Sequence, residues 1–192
     1  MNEKNTQSQE ISRKQFMLNK KIATAGIFIA VGTFLSAINP FGYFFIFGTK
    51  INPFAHLINA LTGVLIGITF SCITALGIAI LRFSTNIGSI HAFHGGITGA
   101  IVVGTISYFL RKRFPKYVEV AGLFEPLGTI FLGGTIGHLI SGNIFVIESL
   151  FTFWGLFALS CIPGSIMGFV ILMALKPANI SWEDFFENSI TD

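Results

Sequence analysis

The sequence predicts an all-α membrane protein, a single bundle of six transmembrane helices with both termini in the cytoplasm. The first of three observations is composition: 52% of the 192 residues are hydrophobic, 11% are charged, and 22 are Phe and 21 Gly. This is too apolar for a soluble domain and matches a polytopic helical membrane protein. The second is the set of apolar runs at 22–38, 54–83, 93–110, 121–141 and 151–175, judged against the ~20 residues a spanning helix needs. The third is that the basic residues lie in short clusters flanking those runs, which is how topology signals are distributed. For that reason the net charge of +3 does not point to nucleic acid.

Residues 1–19 form a polar tail of mixed charge, expected to be cytoplasmic, followed by Lys20-Lys21 and the first apolar run. A cleavable signal would end at a small-residue site, whereas this run passes into Asn39-Pro40 and further aromatics, so it reads as a retained helix. The next stretch, Asn39 to Pro53, carries Phe41, Tyr43, Phe44, Phe45 and Phe47 between two Asn-Pro steps, each of which disfavours helix at its Asn. Such an aromatic loop at the outer surface either gates a pocket, through Phe41, Tyr43, Phe44 and Phe45, or anchors in the membrane interface.

The 54–83 run is decided by charge parity. As one helix it would place Arg111-Lys112-Arg113 and Lys116 outside, against the positive-inside rule, so it must turn back, at Gly63, Gly67 or Thr69. Two short helices of about 20 Å result, which leave a recess in a ~30 Å hydrocarbon core. The membrane domain then spans 20–176 and a second cytoplasmic tail 177–192, with only Lys50 and Arg82 among the basic residues outside.

Small residues recur at four-residue spacing: Gly26 and Ala30, Gly95 and Gly99, Ala100 and Gly104, Gly133 and Gly137, Gly164 and Gly168. This spacing lets helix backbones approach closely. On the first helix Ala23, Gly26, Ala30, Thr33 and Ala37 form a nearly continuous stripe, either an internal seam, which the sequence slightly favours, or a smooth face for a partner helix.

Strongly polar side chains next to lipid are costly and are functional candidates by default. His56 and Asn59, at i and i+3, share a helix face, with Asn52 just before them. Arg82, Asn86, His91, His94, Glu148 and Trp154 fall on the same outer side. Together they suit a small pocket with several hydrogen-bond donors and aromatic walls, for a planar, weakly polar ligand. The competing account is that Arg82 and Lys50 snorkel to headgroups and the histidines satisfy nearby carbonyls. Glu125, beside Pro126, is either a proton or ion site or, as the favoured reading, a structural partner of Arg111, Arg113 or Lys116.

Other chemistries find little support. His56, His91, His94 and His138 lack a nearby cysteine or carboxylate to complete a metal site, and Cys72 and Cys161 read as packing residues. Pro163-Gly164-Ser165 with His138 is a weak imitation of a serine hydrolase. No Gly-x-x-x-x-Gly-Lys-Ser/Thr loop occurs, and no cofactor is expected.

The segments Lys20-Lys21-Ile22-Ala23-Thr24-Ala25-Gly26, Asn52-Pro53-Phe54-Ala55-His56-Leu57-Ile58-Asn59, Leu81-Arg82 and Ala92-Phe93-His94-Gly95-Gly96-Ile97-Thr98-Gly99-Ala100 resemble the thiazole-type (ThiW) substrate-binding subunits of energy-coupling factor transporters. Glu125 with Gly128-Thr129 resembles the fifth-helix motif of that family, although His94 stands where its members commonly carry proline. The resemblance implies a six-helix subunit of the plasma membrane that binds a vitamin precursor at its outer face. Its implied partners are a transmembrane coupling subunit (EcfT-like) and two cytoplasmic ATPases. It also implies that Ala23, Gly26 and Ala30 meet the coupling subunit, that the Asn39–Pro53 loop closes over substrate, and that the ligand is hydroxyethyl-methylthiazole. Alternatives are another small vitamin-like ligand, such as hydroxymethylpyrimidine or pyridoxine, or a proton-coupled carrier using Glu125. The nickel and cobalt members of the superfamily rely on a histidine at position 2, where this chain has Asn2.

Overall fold

The break expected in the long apolar run falls at Gly67. Its φ of +81° is a left-handed conformation that glycine alone adopts without strain, so helix α2 (Pro53–Leu65) ends there and α3 (Gly67–Ser84) begins. The start of α2 is equally local in origin. Asn52 caps it by accepting a hydrogen bond from the Ala55 amide at 3.2 Å, and Pro53 occupies the first helical position, where its missing N–H costs nothing.

The computed structural model describes residues 3–38, 43–46, 49–142 and 145–186. Helix α1 (Glu3–Ala37) leads into a two-stranded antiparallel hairpin, β1 (Phe44–Ile46) and β2 (Thr49–Ile51), which pairs Phe45 with Lys50. After α2 and α3 come α4 (His91–Arg113), an irregular helix α5 (Pro115–Ile140) and α6 (Ile147–Leu175). Two short 3₁₀ turns follow, Lys176–Ala178 and Trp182–Phe185. The polar residues from Glu3 onward continue α1 as helix. Of the aromatic loop, Tyr43, Phe44 and Phe45 lie in or beside the hairpin, and Phe41 lies outside the described residues.

Among the described residues, five helices are long and apolar enough to cross a bilayer. Helix α2, with 13 residues, is about 20 Å long and falls short of a ~30 Å core. It is instead enclosed by protein: every residue of α2 except Phe54 and Ala55 is buried, against α6, α4, α3 and α5. Large apolar side chains such as Ile27, Ile73, Phe109, Leu132 and Val170 face outward from the surrounding helices. A bilayer is the solvent for which that surface is suited.

Most of the small residues mark where helices touch. A Cβ on Gly104 would collide with the Ile68 backbone, one on Gly164 with the Pro53 carbonyl, and one on Gly168 would lie 2.6 Å from Ala60 Cβ. The first helix is different. Ala23, Gly26, Ala30 and Ala37 are exposed, a Cβ on Gly26 would meet nothing, and it is Ala25, Gly32 and Ser36 that face inward. Of that stripe Thr33 is half-buried, with its hydroxyl enclosed, and for the other four residues the internal-seam reading fails, because the helix turns them away from the bundle.

At the basic end, the chain after α6 folds back. Ser181 and Asp184 form a reciprocal cap, and Trp182 and Phe185 insert into the core. Lys20 and Lys21 lie over the rings of Phe185 and Phe186 at 4.7 and 3.6 Å. Arg111 donates to the Val64 carbonyl at 3.1 Å and lies 4.0 Å over Phe186, while Lys176 pairs with Glu119 at 2.7 Å.

Candidate ligand-binding site

Because α2 is short, space remains beyond its N-terminus, and a cavity of about 430 Å³ occupies it. This is the size of a small-molecule pocket. Helix α2 supplies Asn52, Ala55 and His56, the end of α3 supplies Arg82, and the α3–α4 turn supplies Ile87, Gly88 and Ser89. Helix α4 adds His91, Ala92, Gly95 and Gly96, and the hairpin adds Lys50 and Ile51. The remaining wall is α6, through Phe153, Leu156, Phe157 and Ser160, whose i, i+3, i+4, i+7 spacing places them on one helix face.

Four expected residues thus line one cavity: Asn52, His56, Arg82 and His91. Asn59 stands one layer deeper, donating to the Gly96 carbonyl at 2.9 Å and to Glu125 Oε1 at 3.1 Å. His94 supports the wall from behind, its Nε2 2.9 Å from Nδ1 of His91. Two expected residues are not brought in. Glu148 is exposed in the first turn of α6. Trp154 points to another side, donating to Thr135 Oγ1 at 3.1 Å and packing on Phe131 and Phe151. A helix apolar all round gives no sign of which face is inward, and Trp154 is one residue off the face that lines the cavity.

Behind the cavity, Glu125 is fully buried. Its Oε1 lies 2.8 Å from His56 Nδ1, 3.1 Å from Asn59 Nδ2 and 2.7 Å from Thr129 Oγ1. The expected pairing with Arg111, Arg113 or Lys116 is therefore overturned. Glu125 sits between a 3₁₀ stretch, Pro115–Phe124, and a π-helical stretch, Leu127–Gly133. The 3₁₀ stretch is not continuous: it is interrupted by a kink at Tyr117, with φ −116° and ψ 18°. Packing of this irregular segment against α4 and α2 brings the carboxylate to His56. Nδ1 of His56 faces this carboxyl group and the same ring lines the cavity, so His56 connects the two. Gly99 makes room for this cluster, since a Cβ there would collide with Glu125 Oε1.

Lys50 and Arg82 stand at the hairpin side of the cavity. Lys50 donates to the carbonyls of Ser36 at 3.1 Å and Ile87 at 2.7 Å and lies 3.6 Å over the Tyr43 ring, tying the hairpin to α1 and to the α3–α4 turn. Burial, and secondarily the charge of Arg82, push its ammonium down to about 8. The turn folds over Arg82: the amides of Ile87 and Gly88 both donate to its carbonyl at 2.9 Å, and Asn86 takes a φ of 57°. Lys50, Phe153, Phe157 and Ser160 went unrecognised as lining in the sequence. Only Lys50 carried a signal, as one of two basic residues assigned to the outer side.

Among the described residues no group of three or more His, Cys, Asp or Glu side chains is arranged to hold a metal ion. Cys72 and Cys161 are free thiols, the second buried.

No curated protein and no solved structure matches the chain. A family model described as thiamine-precursor transporter protein (ThiW) matches residues 22–178, a stretch that runs from the first membrane helix to the end of α6 and contains every residue lining the cavity. The chain belongs to this thiamine-precursor transporter family.

Proposed function

We propose that this protein is the membrane-embedded substrate-binding subunit of an ATP-driven energy-coupling factor importer, and that its cavity holds a thiazole-type thiamine precursor, hydroxyethyl-methylthiazole. The observation that carries this reading is the cavity beyond α2, where Asn52, His56, Arg82 and His91 face the aromatic wall of Phe153 and Phe157. Aromatic faces supply contact area to a planar ring, and the few polar groups fix its orientation. In this reading the chain crosses the plasma membrane six times with both termini cytoplasmic, so that Arg111-Lys112-Arg113, Lys116 and Lys176 lie inside. The hairpin with Tyr43, Phe44 and Phe45 then stands over the outer mouth of the cavity and acts as its gate.

Energy would come from partners. The exposed stripe of Ala23, Gly26, Ala30 and Ala37 is a surface on which another helix can lie without side-chain interlocking, and it is the docking face proposed for the coupling subunit, with two cytoplasmic ATPases beneath. Native mass spectrometry and calorimetry of the purified subunit should detect the thiazole, with uptake in cells requiring the partner subunits. Gly26→Trp should abolish uptake while leaving binding intact; loss of both would remove the docking assignment.

A second reading, a proton-coupled carrier, is favoured by one observation: Oε2 of the buried Glu125 has no hydrogen-bond partner while Oε1 is joined to the cavity through His56. Uptake that persists without the ATPases and collapses with the proton gradient would establish it.

A further inference from the structure

We infer that the ligand held in this cavity carries an oxyanion, a phosphate monoester or a carboxylate, bound between Arg82 and Lys50; this rests on the cavity being the thiamine-precursor site and narrows the ligand from a neutral heterocycle to an anionic one.

The first observation is Arg82. It is 9% exposed, its Nε is buried without a hydrogen-bond partner, and its guanidinium makes no hydrogen bond to another described residue. A guanidinium presents five N–H donors in a planar fork that matches carboxylate and phosphate oxygens, and leaving the buried Nε–H among them unpaired is costly. Gly88 keeps the neighbourhood open, since a Cβ there would stand 3.3 Å from the same Nε.

The second observation is independent. Lys50, on the hairpin, lines the same cavity, and two of its three ammonium hydrogens are engaged by the Ser36 and Ile87 carbonyls. The charge of Arg82 reaches it and opposes its protonation, and both cations line the one cavity. Among the described residues, those lining the cavity include no Asp or Glu. The other titratable groups around these cations are Tyr43 on the hairpin, His91 on α4, and His56 on α2, behind which Glu125 is occupied by its own donors. An oxyanion placed between Lys50 and Arg82 satisfies the idle donors and removes the repulsion. It also explains why a chain that confines its other buried arginine, Arg111, to a carbonyl and a ring leaves this one open.

The test is calorimetric titration of the full-length protein in lipid nanodiscs with hydroxyethyl-methylthiazole, its phosphate ester and the corresponding thiazole acetic acid. The anionic compounds should bind at least about tenfold tighter than the neutral alcohol, the advantage expected of charge-assisted hydrogen bonds. Whichever of phosphate and carboxylate binds tighter identifies the group. Arg82→Gln should bring the affinity ratio close to one, and Lys50→Met should reduce it, which keeps the test open if the arginine variant does not melt cooperatively. Equal or tighter binding of the neutral alcohol overturns the inference and leaves the proposed function standing. If no thiazole binds but phenyl phosphate raises the melting temperature of the wild-type protein and not of the Arg82→Gln protein, the anion site holds and the thiazole assignment fails. If phenyl phosphate is also without effect, the anion site fails too.

Discussion

Arg82 and Arg111 are the same residue type at opposite ends of one bundle, both buried, both in the last turn of a helix. Arg111 donates to the Val64 carbonyl and is covered by Phe186, within a basic end where Lys20, Lys21 and Lys176 also find rings or carboxylates. Arg82 has a backbone turn folded over its carbonyl and a cavity in front of its guanidinium. The difference separates architecture from recognition. A satisfied buried charge fixes how the chain packs, whereas an unsatisfied one beside a cavity stores interaction free energy for a ligand. Glu125 combines both roles, with Oε1 satisfied by the protein and Oε2 left over.

The comparison can be broken by substitutions whose effects on stability and binding diverge. The largest effect is expected at Glu125→Leu, which removes the acceptor facing His56 and one Asn59 amide hydrogen in the core, while Thr129 keeps the Gly95 carbonyl. At about 1–3 kcal/mol for each unsatisfied group, the thermal transition in detergent should fall steeply and ligand binding should go with it. Glu125→Gln, which keeps an acceptor at the same place, should recover much of the stability. Recovery as good with Leu would mean that the cluster contributes nothing.

Next, Arg111→Met should destabilise by about 1–3 kcal/mol through loss of a buried hydrogen bond and a cation–π contact, with ligand affinity unchanged. Arg82→Met should do the reverse. No intramolecular bond is lost, so stability should move by less than about 1 kcal/mol, while affinity for the anionic ligand drops about tenfold or more. Identical stability losses for the two variants, measured by thermal melts at one pH, would erase the distinction between the ends.

The smallest effect concerns Lys50. Its folded-state value of about 8 lies below the ordinary 10.5, so between those two values the unfolded chain binds more protons than the folded one. Stability should therefore rise as pH increases from about 8 to 10.5, and the increment should be absent in Lys50→Met. A wild-type profile flat over that window would show the ammonium to be unstrained.

Much of this arrangement was determined by the sequence alone. The turn at Gly67 follows from charge parity together with a residue that tolerates positive φ, and the start of α2 follows from Asn52-Pro53. The gathering of Asn52, His56, Arg82 and His91 at one end follows because an apolar chain can place polar side chains only where a cavity or water receives them. The family motifs were legible too, in segments short enough to be read locally.

What only the tertiary structure decided is rotation and depth. Ala23, Gly26 and Ala30 turned outward rather than into a seam, and Phe153, Phe157 and Ser160 turned inward where Trp154 did not. In a bilayer both faces of a helix are apolar, so periodicity carries no sign of inside and outside. Glu125 met His56 rather than the basic loop, in a segment whose 3₁₀ turns, kinked at Tyr117, give way to π turns. That backbone choice is made by packing against α2, α4 and α6, whose residues lie far away in the sequence.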